Sequence, residues 1–335
     1  MDGGVDGGVD GYDGSPGTAP AGPYVWAGAL GERSGRTGEP VDVAVDPGGG
    51  TVYVASRRAG RVTRWTPGGR YLGGFAAAPA GEPDLVPAPP AAAAVTPAAW
   101  PAGVACDSAG AVYVSDEGRR RVCQYAPDGE LLATWGVWGW PGLMRAVRGR
   151  FGRVVPGRFA RPAGVAAGPD GRVYVVEAFH RRVEQYAPGG DLLAAWDGGG
   201  APGGAFGLPW GVAVDPARGD VYVTDWARDR VLRFDPAGHV VGTLGRPGSA
   251  PGSLRRPAGV AVDPQGRLAV ADWGNDRVQV FAPVGRPEAV LRGPAGAAAA
   301  ARLRGPRGVA FDGRGTLYVA DTLGRRVQVF RRRER

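Results

Sequence analysis

Arginine and tryptophan side chains are concentrated in one segment of this sequence, where together they could bind single-stranded nucleic acid. The segment, at about 136–160, contains Trp138, Trp140, Arg145, Arg148, Arg150 and Arg153. Indole rings stack on bases, and guanidinium groups neutralise phosphates. The alternative is an ordered lid whose tryptophans pack on the neighbouring part of the fold and whose arginines stay solvated. The position of Trp135 in a predicted strand favours the lid.

An acid and an arginine recur five residues apart, which suits either a ring of charge or a set of structural ion pairs. The pairs are Asp116/Arg121, Glu177/Arg182, Asp225/Arg230, Asp272/Arg277 and Asp321/Arg326, with Ser56/Arg61 at the corresponding positions of one further copy. A carboxylate beside a turn can accept from turn amides and pair with a guanidinium. Because a binding site usually breaks symmetry, this regular recurrence favours ion pairs that brace hairpins.

Few side chains here suit metal or redox chemistry. The histidines are His180 and His239, which we expect on opposite faces of the fold. The two cysteines, Cys106 and Cys123, are expected to be reduced, buried and structural. We therefore expect no cofactor and no metal site, and we assign no catalytic residue.

The charge of the chain favours acidic or polyanionic partners. All 40 basic residues are arginine, and the net charge is +8. Abundant alanine, glycine and proline indicate a GC-rich genome, which is a second explanation for the arginine. The sequence contains no run of eighteen apolar residues and no secretion-signal layout, so we expect a cytoplasmic protein without membrane contact.

Six segments of the sequence repeat one pattern, and this repeat predicts the fold. Each segment has a Pro-x-Gly-Val-like entry, a Gly-rich turn, a Val-Tyr-Val-like core, an acid in most copies, and Arg-Val before an aromatic residue. The segments begin at Pro40, Pro101, Pro162, Pro209, Pro257 and Pro306. Each predicts three strands, and a fourth apolar stretch such as 131–135 follows in most copies. Radial stacking of such sheets predicts an all-β, six-bladed β-propeller with four antiparallel strands per blade.

The ends of the array predict how the ring closes. The last copy stops at Phe330, one strand short, and the segment 24–31 has the pattern of an orphan fourth strand. We expect this N-terminal strand to complete the sixth blade. The predicted propeller spans 23–330, with inserts at about 73–99 and 136–160. A disordered Gly/Asp-rich segment, 1–22, precedes it, and a basic tail, 331–335, follows it.

The repeats resemble the NHL repeat, most closely at 259–281 and 308–330. The resemblance implies the propeller fold and several functions: protein or RNA binding, kinase sensing, ubiquitin-ligase recognition or peptide-amidating lyase activity. Two cysteines cannot supply the zinc-binding RING of the ligases. Two histidines on opposite faces do not form the metal site of the lyases, so an enzyme is the least favoured alternative.

In a propeller, the turns between second and third strands share one face with the connections between blades, and this face is the predicted working surface. Its candidate binding arginines are Arg57, Arg58, Arg119, Arg120, Arg181 and Arg228, and Arg325 lies there too. An asymmetric aromatic set is formed by Phe179, Trp210, Trp226 and Trp273. These rings either provide a ligand platform or pack between blades, and packing is the more common outcome.

The leading functional hypothesis is therefore a monomeric, non-catalytic propeller that binds a protein or peptide. The first alternative is RNA binding through the basic face, which should weaken steeply with salt. The second is a metal-dependent lyase or hydrolase with its site at the channel mouth. A calcium site needs several converging oxygen ligands, and Asp42 is the only polar residue expected at the Pro-x-Gly position of the inner strands.

Overall fold

The computed structural model describes residues 23–31, 35–77, 99–137, 153–156, 159–283, 285–294 and 301–333. Their strands form six sheets, each built on four antiparallel strands, and one of the six has a fifth strand. The first strand of every repeat contacts the first strands of the two adjacent repeats, so the sheets form a closed ring of blades around a central channel. The expected all-β, six-bladed propeller is therefore confirmed.

The strands follow the repeats closely. Blade 1 contains β2 (Pro40–Val45), β3 (Val52–Ser56), β4 (Arg61–Trp65) and β5 (Tyr71–Ala76). Blade 2 contains β6 (Pro101–Cys106), β7 (Val112–Asp116), β8 (Arg121–Tyr125), β9 (Leu131–Val137) and β10 (Arg153–Pro156). Blade 3 contains β11 (Pro162–Ala167), β12 (Val173–Glu177), β13 (Arg182–Tyr186) and β14 (Leu192–Trp196).

The second half of the ring has the same arrangement. Blade 4 contains β15 (Pro209–Val214), β16 (Val221–Asp225), β17 (Arg230–Phe234) and β18 (Val240–Leu244). Blade 5 contains β19 (Pro257–Val262), β20 (Leu268–Asp272), a 3-10 turn (Trp273–Asn275), β21 (Arg277–Phe281) and β22 (Pro287–Leu291). Blade 6 contains β23 (Pro306–Phe311), β24 (Leu317–Asp321), β25 (Arg326–Arg332) and β1 (Tyr24–Leu30).

The Pro-x-Gly entry has a physical reason at both of its fixed positions. The proline is the first residue of each inner strand, where a missing N–H is tolerated. The glycine lets neighbouring inner strands approach closely, since a Cβ on Gly211 would meet the carbonyl oxygen of Ala258, and one on Gly164 that of Trp210. In blade 1, Asp42 occupies this position, and its carboxylate instead accepts a hydrogen bond from the Val104 N–H of blade 2, at 2.9 Å.

Buried apolar residues form six clusters, one between each pair of adjacent blades. In the cluster between blades 4 and 5, for example, Val231 and Leu254 meet Val270 and Phe281. No blade buries both faces alone, so the stability of each depends on its two neighbours.

The ring closes through its N-terminal strand, as predicted. β1 pairs antiparallel with β25 along its length, from Tyr24 opposite Arg332 to Leu30 opposite Val327, with a bulge at Trp26/Gly28. One feature of blade 2 was not expected: within the insert, β10 adds a fifth strand, parallel to β9. Among the described residues, no helix is long and apolar enough to cross a membrane.

Candidate functional site

The turns between second and third strands and the connections between blades lie at the same end of the strands, on what we call the connection face. Among the residues that the structure describes, three large apolar side chains are exposed there: Phe179 at 70%, Leu323 at 57% and Trp100 at 50%. The first two lie in turns, and Trp100 lies in the connection that enters blade 2. Trp100 also lies 5.9 Å from the Arg57 guanidinium carbon, measured to its ring centroid.

Three half-buried indole rings form a continuous row on this face, which we call the tryptophan row. Trp210 is the second residue of β15, and Trp226 and Trp273 directly follow β16 and β20. The ring centroids are 5.7 Å apart for Trp210 and Trp226, and 4.9 Å apart for Trp226 and Trp273. All three rings pack on the cluster between blades 5 and 6. One side of the row thus belongs to the core, while part of each ring stays accessible.

Arginines from three different blades converge on the channel mouth, and we call Arg57, Arg161 and Arg307 the arginine cluster. Glu117 bridges the first two: one carboxylate oxygen accepts from Arg57, and the other lies 2.6 Å from the Arg161 Nε. The Arg161 and Arg307 guanidinium carbons lie 5.2 and 5.8 Å from the centroid of the Trp210 ring, within cation–π distance. Trp210 therefore connects the tryptophan row to the cluster.

Arg307 is the least compensated member of the cluster. Burial, followed by the charge of Arg57, lowers the pKa of its guanidinium, and Arg161 acts in the same direction. Glu117 and Glu39 oppose this shift through their charges. In the part of the chain that the structure describes, no carboxylate lies within ion-pair distance of Arg307.

A family model for the NHL repeat matches residues 206–234 and 254–281, in blades 4 and 5 and the connections that precede them. The same pattern recurs in all six blades of the closed ring. The chain is an NHL-repeat β-propeller. No curated protein sequence matches it.

Several solved structures resemble this NHL propeller. A streptogramin B lyase is 13% identical, with a TM-score of 0.55 over 88% of this chain and 94% of that one. The virginiamycin B lyase of Staphylococcus aureus is 14% identical, with a TM-score of 0.56 over 88% and 95%. A chain of a nidogen/laminin complex is 20% identical, with a TM-score of 0.54 over 80% and 84%. At these identities the likeness shows the fold alone.

The other predicted arginines of the NHL propeller have more local surroundings. Arg120, Arg181 and Arg325 are exposed and have φ near +55°, at the last position of their turns. Arg228 donates to the Gly203 carbonyl and lies 3.8 Å from Asp225. Arg58 is exposed and lies 3.7 Å from Glu39, and Arg119 is half-buried with its N–H donating to Asp116. None of these belongs to the arginine cluster.

In the five repeats that have both, the acid and the arginine face each other in register at the turn between second and third strands. The Nε–Oδ2 distances are 3.9 Å for Asp116/Arg121, 3.2 Å for Asp225/Arg230, 2.6 Å for Asp272/Arg277 and 3.0 Å for Asp321/Arg326. The acids also accept backbone hydrogen bonds from the preceding connection, as Asp272 does from the Arg255 N–H at 2.7 Å. These pairs tie turns to connections between blades.

Blade 3 corrects this prediction. Glu177 and Arg182 face each other in register, but the Arg182 Nε donates to Glu184 at 2.8 Å. Glu177 accepts from the N–H groups of Ala160 and Arg161, at 2.5 and 2.6 Å, as the aspartates of other blades accept from their own preceding connections. Burial raises the pKa of Glu177, and these two hydrogen bonds oppose the rise.

Part of the predicted site lies outside the described residues, namely Trp138, Trp140, Arg145, Arg148 and Arg150, together with most of the insert 73–99 and the segment 1–22. Arg153 begins β10, with its backbone opposite Ala133. Within the described ranges, no three His, Cys, Asp or Glu side chains are grouped to hold a metal ion. His180 and His239 lie on opposite faces, in the turns that follow β12 and β17.

Sequence reasoning did not identify Arg161, Arg307 and Glu117 as site residues. The signal for Arg307 was present, because it is the only charged residue at the second position of an inner strand, where the other copies have Val41, Ala102, Ala163, Trp210 and Ala258. Arg161 precedes such a strand, and Glu117 begins a turn. The sequence around these two positions does not indicate that either residue lies near the channel mouth. That location becomes clear only in the closed ring.

Proposed function

We propose that this NHL propeller is a non-catalytic binding protein that presents its connection face to a protein or peptide. The observation that carries the proposal is the composition of that face. The tryptophan row, the arginine cluster and the exposed side chains of Phe179, Leu323 and Trp100 all belong to this one face. Aromatic residues and arginine are enriched in the cores of protein interfaces and in binding hot spots.

The distribution of the exposed residues supports the same surface. The other large exposed apolar side chains, such as Leu192 and Leu193, lie on outer strands and are separate from the aromatic row. Scattered single apolar residues are normal on any protein, whereas an aromatic patch rimmed by charge indicates an interaction site. The connection face fits the second description.

The test is selection from a displayed library of random peptides on the purified protein. We expect enriched peptides to lose about tenfold in affinity when Phe179 and Leu323 are both changed to Ser, because exposed anchors at an interface contribute on this scale. The matched control is Leu192→Ser with Leu193→Ser, which removes two apolar side chains of similar exposure (56% and 50%) from an outer strand. The control should bind like the wild type.

Two outcomes would contradict the proposal. One is a wild-type protein that enriches no peptide, and the other is an equal loss in both double variants. A labelled pool of random single-stranded RNA, tested at low and physiological salt, separates the main alternative. Tight binding of RNA that falls steeply with salt, without peptide binding, would favour the RNA-binding hypothesis.

A further inference from the structure

Arg307 is a large, charged residue at a position of the inner strand that is small in most blades. It is the second residue of β23, and the equivalent residue of every inner strand lies at the connection-face end of the channel. Four of the six equivalent residues are alanine or valine, and only Trp210 and Arg307 have large side chains there. Although blade 5 separates them, the Arg307 guanidinium carbon lies 5.8 Å from the Trp210 ring centroid. Both side chains therefore occupy the mouth itself.

The charges at the mouth are not balanced. Each oxygen of Glu117 is used by a different arginine, Arg57 on one side and Arg161 on the other. Arg307 lies near both of these cations, and although the charges of Glu117 and Glu39 act on it, neither carboxylate is within ion-pair distance of it among the described residues. A partly buried cation without a partner is unfavourable, and its lowered pKa has the same cause. An anion that enters the mouth would relieve this cost.

The form of the site restricts the kind of anion. A guanidinium held at a ring by cation–π attraction keeps its planar edge free for two parallel N–H···O bonds, which match a carboxylate. The indole ring of Trp210 offers an apolar surface directly beside it. The complementary group is therefore a carboxylate with apolar atoms next to it, as a peptide has at a Glu or Asp side chain or at its C-terminus.

We propose that Arg307, assisted by Arg161 and Trp210, binds a carboxylate of a peptide ligand at the channel mouth. This inference rests on the proposed function, since it names the chemical group that the bound peptide must present. It also predicts how the ligand is oriented on the connection face. The acidic group is held at the mouth, and the apolar side chains of the ligand extend over the tryptophan row.

The experiment uses the peptides enriched on the full-length wild-type protein, resynthesised in three forms. The first is unchanged, the second has each Glu and Asp replaced by Gln and Asn, and the third has an amidated C-terminus. Affinities are measured by fluorescence polarisation for wild type, Arg307→Gln and Arg307→Lys. If affinity falls when the acidic side chains are replaced, the bound carboxylate belongs to Glu or Asp. If affinity falls on amidation, the bound carboxylate is the C-terminus.

Arg256→Gln is the matched control, because the Arg256 guanidinium carbon also lies 5.8 Å from a tryptophan ring, but that ring is Trp273 and not the Trp210 ring that Arg161 and Arg307 contact. We expect Arg307→Gln to weaken binding of the unchanged peptide about tenfold and to change binding of the neutralised peptide hardly at all. Arg307→Lys should have an intermediate effect, because it keeps the charge but loses the two parallel N–H donors of the guanidinium. Arg256→Gln should change binding of the two peptides equally. Thermal unfolding checks that each variant is folded.

The outcomes separate the two proposals. If peptides bind and depend on Phe179 and Leu323, but Arg307→Gln weakens the acidic and neutral forms equally, the carboxylate inference is overturned while the proposed function stands. If no peptide binds, both fail. If a phosphorylated peptide or an RNA binds through Arg307 while carboxylate peptides do not, the anion is a phosphate and the inference is overturned.

Discussion

Asp272 and Arg277 are joined by a buried ion pair that anchors the connection between blades 4 and 5. The Arg277 Nε lies 2.6 Å from the Asp272 Oδ2, and the two side chains are 1% and 0% exposed. Arg277 also donates to the carbonyl oxygens of Ser249 and Ser253, at 2.6 and 2.8 Å. One pair thus stabilises a turn in blade 5 and the chain segment that leads into it.

Removal of Arg277 should destabilise the propeller strongly. We expect Arg277→Met to lower the free energy of unfolding by about 3–5 kcal/mol, because it leaves a buried carboxylate and the carbonyl oxygens of Ser249, Ala250 and Ser253 without their cation. In blade 3, Arg172 is 42% exposed and pairs with Asp170, which is 50% exposed, so Arg172→Met should cost about 1 kcal/mol or less. Urea denaturation measures both. Similar costs in the two blades would contradict the argument.

The sequence predicted the elements that every blade shares. The Pro-x-Gly entry and the acid–arginine spacing are required by the packing of one blade on the next, so they recur in most copies and can be read locally. Glu177 shows the limit of that reading, because its carboxylate keeps the hydrogen bonds from the preceding connection while Arg182 pairs with Glu184.

The candidate site was harder to predict, since it consists of residues that no repeat has in common. The Trp210, Trp226 and Trp273 rings were identified as an asymmetric set, but their contact depends on how blades 4 and 5 are placed next to each other. Arg57 and Arg307 are far apart in sequence and come together because the inner strands of blades 1 and 6 are adjacent in the closed ring. A central site of this kind becomes visible only when all six blades are placed.

Removal of β1 should weaken the whole ring. Deletion of residues 1–31 takes away the strand that pairs with β25, so blade 6 loses its outer strand and the buried side chains of Tyr24 and Leu30. We expect the melting temperature to fall by roughly 10 °C or more. Deletion of residues 1–22, which leaves β1 intact, is the control and should have little effect. An unchanged melting temperature for the longer deletion would refute closure by β1.

Asp42 should make stability depend on pH. Burial raises the pKa of this carboxyl to about 7 from an ordinary value of 3.8, against the opposing hydrogen bonds from the Val104 and Val43 N–H groups. The native state therefore binds more protons than the unfolded state between about pH 4 and 7, so this contribution to stability is lost as the pH rises through that window. Asp42→Asn cannot titrate and keeps an acceptor oxygen.

The stability of the Asp42→Asn variant relative to wild type should rise from pH 4 to pH 7 and stay constant above it. Urea denaturation of both proteins at unit intervals of pH measures the difference. All other titrating groups are present in both proteins, so their contributions cancel in this difference. Parallel stability curves would show that Asp42 does not titrate in this range.

A pocket of about 210 Å³ lies between blades 4 and 5, and Leu244 is in its wall with Tyr222, Leu268 and Phe281. The pocket lies where an outer strand meets the next blade. At the position equivalent to Leu244 in strand register, blades 1 to 3 have the aromatic residues Phe75, Trp135 and Trp196. The smaller leucine side chain therefore accounts for the space.

Leu244→Phe should stabilise the protein by about 1 kcal/mol, because the added ring atoms fill existing space and remove apolar surface from water. Leu291 holds the same register position in blade 5, where it is buried against its neighbours. Leu291→Phe should instead be destabilising by about 1–3 kcal/mol through overpacking. Urea denaturation should show changes of opposite sign in the free energy of unfolding of the two variants, if the space beside Leu244 is what accommodates the added ring. A loss of stability in both would mean that the wall of the pocket cannot accommodate an aromatic ring as blades 1 to 3 do.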